Sequence, residues 1–323
     1  MCNRINALGY DLTPPLRLVL NTNCNGRCSF CHREGSEHQG SMESSLVYEC
    51  AEVAERIKIP HVALTGGEPT LRADLADLIE GIQARYSGNV SLTTNGVQLQ
   101  DLSKQIKIPL HTVNLSIVSF EERIYSKYQN VDPFNAIESL LSFPAKNRNL
   151  NVVVVEDTIE SIVRIAEYSI EHALSMHIMF ELRKISPTEE KTYSEIIKKL
   201  CNLGHCEMRY GSTPSLVVKT MKQSEIIIKY PKLSESIKWE VCEVCKNGDS
   251  CYEKVCAVRV YPGGLVSPCL NGQISYQSGS IAERITQAYD LFTPQKLVSF
   301  MQYHQILQSL KIFDKFLDSP YVK

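Results

Sequence analysis

At 323 residues, with 43% hydrophobic side chains and a formal net charge of −2, the chain can build one large domain and a smaller appendage around an ample core. The near-neutral balance gives no electrostatic drive toward nucleic acid or an anionic membrane surface. No run of about 18 apolar residues reads as a membrane-spanning helix.

Six β-rich runs recur along the chain: Leu16–Asn21, His61–Thr65, Val90–Thr94, Thr112–Ile117, Asn151–Val155 and His177–Glu181. Helix-like stretches lie between most of them, at Ser44–Lys58, Leu71–Tyr86, Pro133–Phe143 and Ile159–Leu174, while Leu102–Ile108 is short and only weakly helical. Alternation of this kind indicates parallel β/α units. Taken alone it is compatible with a partial barrel or a doubly wound sheet. Chemistry in β/α barrels sits on loops after the carboxyl ends of strands, so the loops after the first runs are where catalytic residues are expected.

The first of those loops carries Asn23-Cys24-Asn25-Gly26-Arg27-Cys28-Ser29-Phe30-Cys31. This C-x3-C-x2-C spacing lets three thiolates hold three irons of a cubane [4Fe–4S] cluster and leaves one iron open to a small molecule. Structural zinc takes four ligands, commonly in C-x2-C pairs, so the triplet fits it poorly; the adjacent His32 is a weak fourth ligand. The amino terminus, Met1-Cys2-Asn3-Arg4-Ile5-Asn6, does not read as a signal peptide. Twelve cysteines without one argue for metal chemistry in a reducing cytoplasm rather than disulfides.

The second loop reads Thr65-Gly66-Gly67-Glu68-Pro69-Thr70, where paired glycines permit close backbone approach and proline turns the chain away. A Gly-Gly turn by itself is an ordinary tight loop. Together with the cysteine triplet, it resembles the GGEP motif of the radical S-adenosylmethionine (SAM) superfamily. That resemblance implies a partial (β/α)6 TIM-like barrel over residues 1–212, with a small cysteine-rich α+β region over 213–323. It also implies that Cys24, Cys28 and Cys31 ligate a [4Fe–4S] cluster whose open iron binds SAM. One electron, from a donor such as flavodoxin or ferredoxin, then cleaves SAM to methionine and a 5′-deoxyadenosyl radical that abstracts hydrogen from a substrate carbon. Phe30 falls where family members contact adenine. Gly66, Gly67, Glu68 and Pro69 fall where they bind the methionine amino group. Thr93, Thr94, Asn95 and Ser116 become candidates to touch SAM or substrate, though each is also an ordinary strand-end hydrogen-bonding residue. No decay of these motifs suggests a binding protein that has lost catalysis.

A second cysteine group follows: Cys242, Cys245, Cys251, Cys256 and Cys269. Ala257–Tyr261 and Leu265–Cys269 read as strands joined by a Pro262-Gly263-Gly264 turn. Gly264-x4-Cys269 resembles the auxiliary-cluster modules called twitch and SPASM, although the full SPASM order is not reproduced. An auxiliary iron–sulfur cluster is the reading taken, with Cys256 and Cys269 the foremost ligands. A zinc knuckle from Cys242, Cys245, Cys251 and Cys256 is the alternative.

Within the superfamily the chain is most similar to the GTP 3′,8-cyclases of molybdopterin biosynthesis. Arg17, seven residues before Cys24, matches an arginine that contacts GTP phosphates; Leu64–Arg72 matches almost letter for letter; and Arg259 fits the second of two carboxy-terminal substrate arginines. The departures fall on the substrate side. Ala63, Asn149 and Ala257 stand where the family has cations, and Ser319-Pro320-Tyr321-Val322-Lys323 replaces its Gly-Gly tail. A charge-assisted hydrogen bond contributes about 1.5–3 kcal/mol, so losing three weakens triphosphate binding by several orders of magnitude. The expected substrate is therefore a small anionic metabolite or nucleotide with less charge than GTP, bound through Arg17 and Arg259. A modified peptide is the alternative, disfavoured by the short stretch before Cys24; a genuine GTP cyclase is the other. His61, His111, His172, His177, His205 and His304 read as structural, and Cys2, Cys50, Cys201 and Cys206 as free thiols. Lys222, Lys229, Lys232 and Lys238 read as a solvated face, and Glu181 as facing the barrel mouth.

Overall fold

The computed structural model describes residues 13–31, 40–128, 133–181, 186–209, 215–229, 239, 242, 245, 257–270 and 274–292. Their strands are β1 (Leu16–Val19), β2 (His61–Thr65), β3 (Asn89–Thr94), β4 (Leu110–Ser116), β5 (Ala145–Val154), β6 (Ser175–Phe180), β7 (His205–Arg209), β8 (Ser215–Lys219), β9 (Glu225–Lys229), β10 (Val258–Val260) and β11 (Val266–Ser267). The helices are α1 (Ser44–Arg56), α2 (Leu75–Gln83), α3 (Leu99–Ser103), α4 (Glu122–Tyr128), α5 (Pro133–Ser142), α6 (Ser161–Glu171), α7 (Pro187–Cys201) and α8 (Ile281–Asp290).

All eleven strands join one sheet in the order β11-β10-β1-β2-β3-β4-β5-β6-β9-β8-β7. Neighbours from β10 through β1 and the six consecutive units to β9 are parallel. Only β11, β8 and β7 pair antiparallel. The sheet keeps two edges instead of closing, as a partial barrel does. Strands from residues 215–229 and 258–267 extend it on both flanks, β9 against β6 and β10 against β1.

Alternation along each strand separates two faces. Leu16, Leu18, Val62, Leu64, Val152, Ile178, Ile226 and Ile228 point to the helices and are buried in the hydrophobic core. α1 covers that face with Val47, Cys50, Ala51 and Ala54, spaced three or four apart, and α6 with Ile162, Ile165 and Ala166. The opposite face is polar, unlike the branched aliphatic filling of a closed barrel. It carries Arg17, Ser91, Asn114, Asn149, Asn151 and His177, with Asn114 opposite Asn149 and Asn151 opposite His177 across the strands.

Most boundaries fall within two residues of those read from the sequence. β5 begins six residues earlier, at Ala145, because its polar Asn147-Arg148-Asn149 stretch mimics a loop in composition. The segment from Leu71 splits into a 3-10 turn, Pro69–Leu71, and α2.

Candidate active site

The cysteine loop leaves β1 and is bound to the GGEP turn backbone to backbone. Gly67 N–H donates to Asn21 O at 2.8 Å and Glu68 N–H to Asn23 O at 2.7 Å; Asn21 Nδ2 returns a bond to Glu68 O at 2.9 Å. Gly66 has φ +149°, and a Cβ there would lie 2.4 Å from Asn21 O; on Gly67 it would lie 2.1 Å from Asn23 O. The paired glycines are thus required by close approach to the loop bearing Cys24.

Arg72, the last residue of the near-exact motif, closes the other side. Its guanidinium donates to Leu20 O at 2.9 Å and Met42 O at 2.6 Å. It also grips Asp74 bidentately at 2.9 and 2.7 Å, which holds the Asp74 carboxyl below the usual carboxylate range. Both ends of the segment spanning the cysteines are therefore fixed to the start of α2.

Glu68 is 2% exposed. Its Oε1 accepts from Thr70 N–H at 3.1 Å, Thr70 Oγ1 at 2.6 Å and Thr94 Oγ1 at 2.6 Å, and its Oε2 accepts from Asn95 N–H at 2.7 Å. Burial nonetheless raises the carboxyl pKa, outweighing those bonds. Asn95 Nδ2 donates to Asn25 Oδ1 at 2.7 Å, bringing the end of β3 to the cysteine loop. Pro69 opens the 3-10 turn.

The cysteines stand on this frame. Gly26 N–H donates to Cys24 Sγ at 3.3 Å, and a Cβ on Gly26 would meet Cys24 Sγ at 3.4 Å and Cys28 Sγ at 3.9 Å. Burial, then the neighbouring thiols, push Cys28 up to about 12; burial also raises Cys24, partly offset by the Gly26 bond. Thiols that raise one another by mutual repulsion are suited to a bound cation, which reverses the effect. Among the described residues, no three His, Cys, Asp or Glu side chains converge to hold a single metal ion. A cubane takes three thiolates from one short loop and leaves its fourth iron open, and the triplet supplies that donor set.

One support was not foreseen from sequence. Tyr128, at the end of α4, accepts from Arg27 N–H at 2.8 Å and from Cys28 Sγ at 3.5 Å, and its ring lies 5.5 Å from that of Phe30. No local signal marks Tyr128; only the tertiary fold brings it to Cys28. Ser116 ends β4 on the lumen face, in register with Asn151.

On the lumen side, Arg17 and Arg259 are register partners on adjacent parallel strands. Arg17 Nη2 donates to Thr65 Oγ1 at 3.3 Å and Arg259 Nη1 to Ala257 O at 3.0 Å. Ala63 is the register partner of Arg17 on β2. Asn149 donates to Asn114 Oδ1 at 2.9 Å, an amide pair where a cation was expected by family pattern. Lys229 corrects the surface reading: it ends β9, alternating with the buried Ile226 and Ile228, so it stands on the lumen face.

Cys242, Cys245 and Cys269 are of intermediate burial. Cys242 N–H donates to Trp239 O at 2.8 Å. The expected turn at Pro262–Gly264 joins β10 and β11. Cys251, Cys256, His32 and residues 319–323 lie outside the described residues. No helix among the described residues is long and apolar enough to cross a membrane.

Comparison with known proteins agrees with this geometry. A "Probable GTP 3′,8-cyclase" of Thermoplasma volcanium is 34% identical over 174 residues, 51% of this chain and 53% of that protein. A protein of the same name from Saccharolobus solfataricus is 32% identical over 227 residues, 64% of this chain and 73% of its own. The chain thus spans about half of the first relative and about three quarters of the second. In fold it is similar to Streptococcus suis SuiB bound to precursor peptide SuiA, with TM-score 0.61 and 14% identity over 91% of this chain and 67% of that one. It is also similar to anSMEcpe with bound AdoMet and the Cp18Cys peptide, with TM-score 0.56 and 17% identity over 95% of this chain and 87% of that one. The profile of the radical SAM superfamily matches residues 18–181, just over half of the sequence and the span from β1 to the end of β6. The chain belongs to the radical SAM superfamily, and its cysteine loop and GGEP turn are folded as one unit at the mouth of that family's partial barrel.

Proposed function

We propose that this radical SAM enzyme abstracts hydrogen from a small anionic metabolite or nucleotide held in the barrel lumen. The observation that carries this reading is the pairing of Arg17 with Arg259 side by side on the lumen face. Two adjacent guanidinium groups concentrate positive charge at one place, and their planar forks suit phosphate or carboxylate.

Cys24, Cys28 and Cys31 would hold the [4Fe–4S] cluster. Phe30, Gly66, Gly67, Pro69, Thr94, Asn95 and Ser116 would line the SAM side, with Glu68 fixing their arrangement from within. Bound together, the cluster and SAM supply one-electron cleavage that yields a hydrogen-abstracting carbon radical. The residues of the chain position that event: Glu68 locks the GGEP turn to β3, and the polar lumen orients the substrate carbon. A flavodoxin- or ferredoxin-type protein would deliver the electron. Cys256 and Cys269, with Cys251 and the Cys242–Cys245 pair, would hold an auxiliary iron–sulfur cluster.

GTP itself fits less well, because Ala63 and the Asn149–Asn114 amide pair supply no charge where a triphosphate needs it. A peptide is the second reading, supported by the peptides in the SuiB and anSMEcpe structures. Anaerobically reconstituted protein, given dithionite and SAM, should release 5′-deoxyadenosine; no release with clusters present would sink the proposal. Efficient conversion of GTP to a cyclised nucleotide would replace the anionic-metabolite reading with that of a GTP cyclase.

A further inference from the structure

The sheet order places five strands between β1 and β9, yet residues of both face one lumen. Lys229 is the last residue of β9 and the register partner of Met179 near the carboxyl end of β6. It therefore stands at the end of the barrel that also carries the cysteine loop, GGEP and Asn95. No carboxylate among the described residues forms an ion pair with it. Glu225, the acid of its own strand, lies at the opposite end and is held by Arg209 at 2.7 Å.

The surroundings are cationic. Burial and the Arg17 guanidinium push the Lys229 ammonium down. Lys229 in turn helps depress His177 and His61, after burial. On the same face, Asn151 is the register partner of His177, and its buried Oδ1 has no hydrogen-bond partner. A buried acceptor left empty on the same face as a half-buried amine is costly unless a ligand satisfies both.

We infer that Lys229 is a specificity-determining residue of the substrate site: with Arg17 it binds an anionic group, phosphate or carboxylate, while Asn151 Oδ1 accepts a hydroxyl or N–H of the same molecule. This rests on the anionic-substrate reading above and deepens it. Relative to the cation pattern of the GTP cyclases, charge is absent at Ala63 on β2 and Asn149 on β5 and present on β9. The anion is thereby drawn toward the β6–β9 side of the lumen.

Calorimetric titration of reconstituted holoenzyme with tripolyphosphate, GTP and citrate, at fixed ionic strength, tests this directly. Lys229→Met should weaken the tightest of these about tenfold or more, and Lys229→Arg should stay within about threefold of wild type. Preference for tripolyphosphate or GTP identifies a phosphate site, and preference for citrate a carboxylate site. Because Lys229→Met removes a desolvated cation, its melting temperature should equal or exceed that of wild type. Unchanged affinity in Lys229→Met, or a lowered melting temperature alongside lost affinity, overturns the assignment. Wild-type protein that cleaves SAM but binds none of the three overturns the anion site and leaves the radical SAM chemistry standing. Failure to cleave SAM is a separate result that bears on the proposed function alone.

Discussion

Thr94 Oγ1 donates a hydrogen bond to Glu68 Oε1 at 2.6 Å, so the end of β3 and the GGEP turn share one buried carboxylate. With Thr70 and Asn95 that carboxylate accepts four bonds, all from within the protein. Glu68→Gln keeps the acceptor for Thr70 and Thr94 but turns an amide N–H toward the Asn95 N–H. Leaving that donor unsatisfied should cost about 1–3 kcal/mol, and Thr94→Val about 1 kcal/mol. SAM affinity should fall in Glu68→Gln, because Asn95 and the glycines lose their common anchor. Chemical denaturation together with SAM titration checks both effects. An unshifted unfolding midpoint would show that Glu68 does not hold the turn.

The glycines make a sterner demand. A methyl group on Gly67 would lie 2.1 Å from Asn23 O, a backbone atom that cannot rotate away. Gly67→Ala should therefore displace the loop that carries Cys24, costing about 1–3 kcal/mol and lowering iron occupancy of the first cluster. Iron and sulfide analysis after anaerobic reconstitution reads this out. Full occupancy at wild-type stability would mean that the two loops are less tightly joined than their backbone bonds imply.

These close contacts explain why the site was largely legible in the sequence. Cys24, Cys28, Cys31 and Thr65–Arg72 are contiguous motifs, and their packing fixes identity position by position, down to Arg72 on Leu20 O and Met42 O. Parallel strands buried by helices likewise announce themselves as short apolar runs. Tyr128 escaped because its role depends on a carbonyl and a ring brought to Cys28 from 100 residues away. Lys229 escaped because a single lysine ending Glu225–Lys229 looks like a solvated strand end until β9 is seen beside β6. α7 went unread although its start is marked: Ser186 and Glu189 cap each other at 3.3 and 2.8 Å, with Pro187 in the first turn. The mixed charge of Thr188–Lys199 obscured its apolar stripe of Tyr193, Ile196, Ile197 and Leu200.

Two lumen histidines set an acid limit on stability. Burial, then Lys229 and Arg209, lower His177 to about 3; burial, then His111, Arg17 and Lys229, lower His61 to about 4, where it shares a 2.6 Å hydrogen bond with Ser91 Oγ. Above pH 6.5 both are neutral, folded or unfolded, and cost nothing. As pH falls below 6.5 the unfolded chain takes up protons that the folded chain refuses, so stability drops, until the folded values are reached. Between pH 7 and pH 5 this amounts to at most about 2 kcal/mol per histidine. Anaerobic urea titrations of wild type and His177→Asn across that range should diverge steadily, the variant losing less. Parallel curves would place His177 in contact with water.

The carboxy-terminal cysteines yield the last test. Cys242, Cys245 and Cys269 are partly buried, and Cys269 is close in sequence to the β10–β11 hairpin that flanks Arg17 through Arg259. A cluster there would sit on the β1 side of the sheet, next to Arg17 and Arg259. The triple variant Cys24→Ala, Cys28→Ala, Cys31→Ala should lose SAM cleavage entirely, since no other thiols share that loop. It should still bind iron and sulfide on reconstitution, at about half of the wild-type content if both clusters are cubanes. Changing Cys256 and Cys269 to alanine as well should remove the remainder. Zinc retained in place of iron in the triple variant would assign the second group to a zinc knuckle and confine the redox chemistry to the first loop.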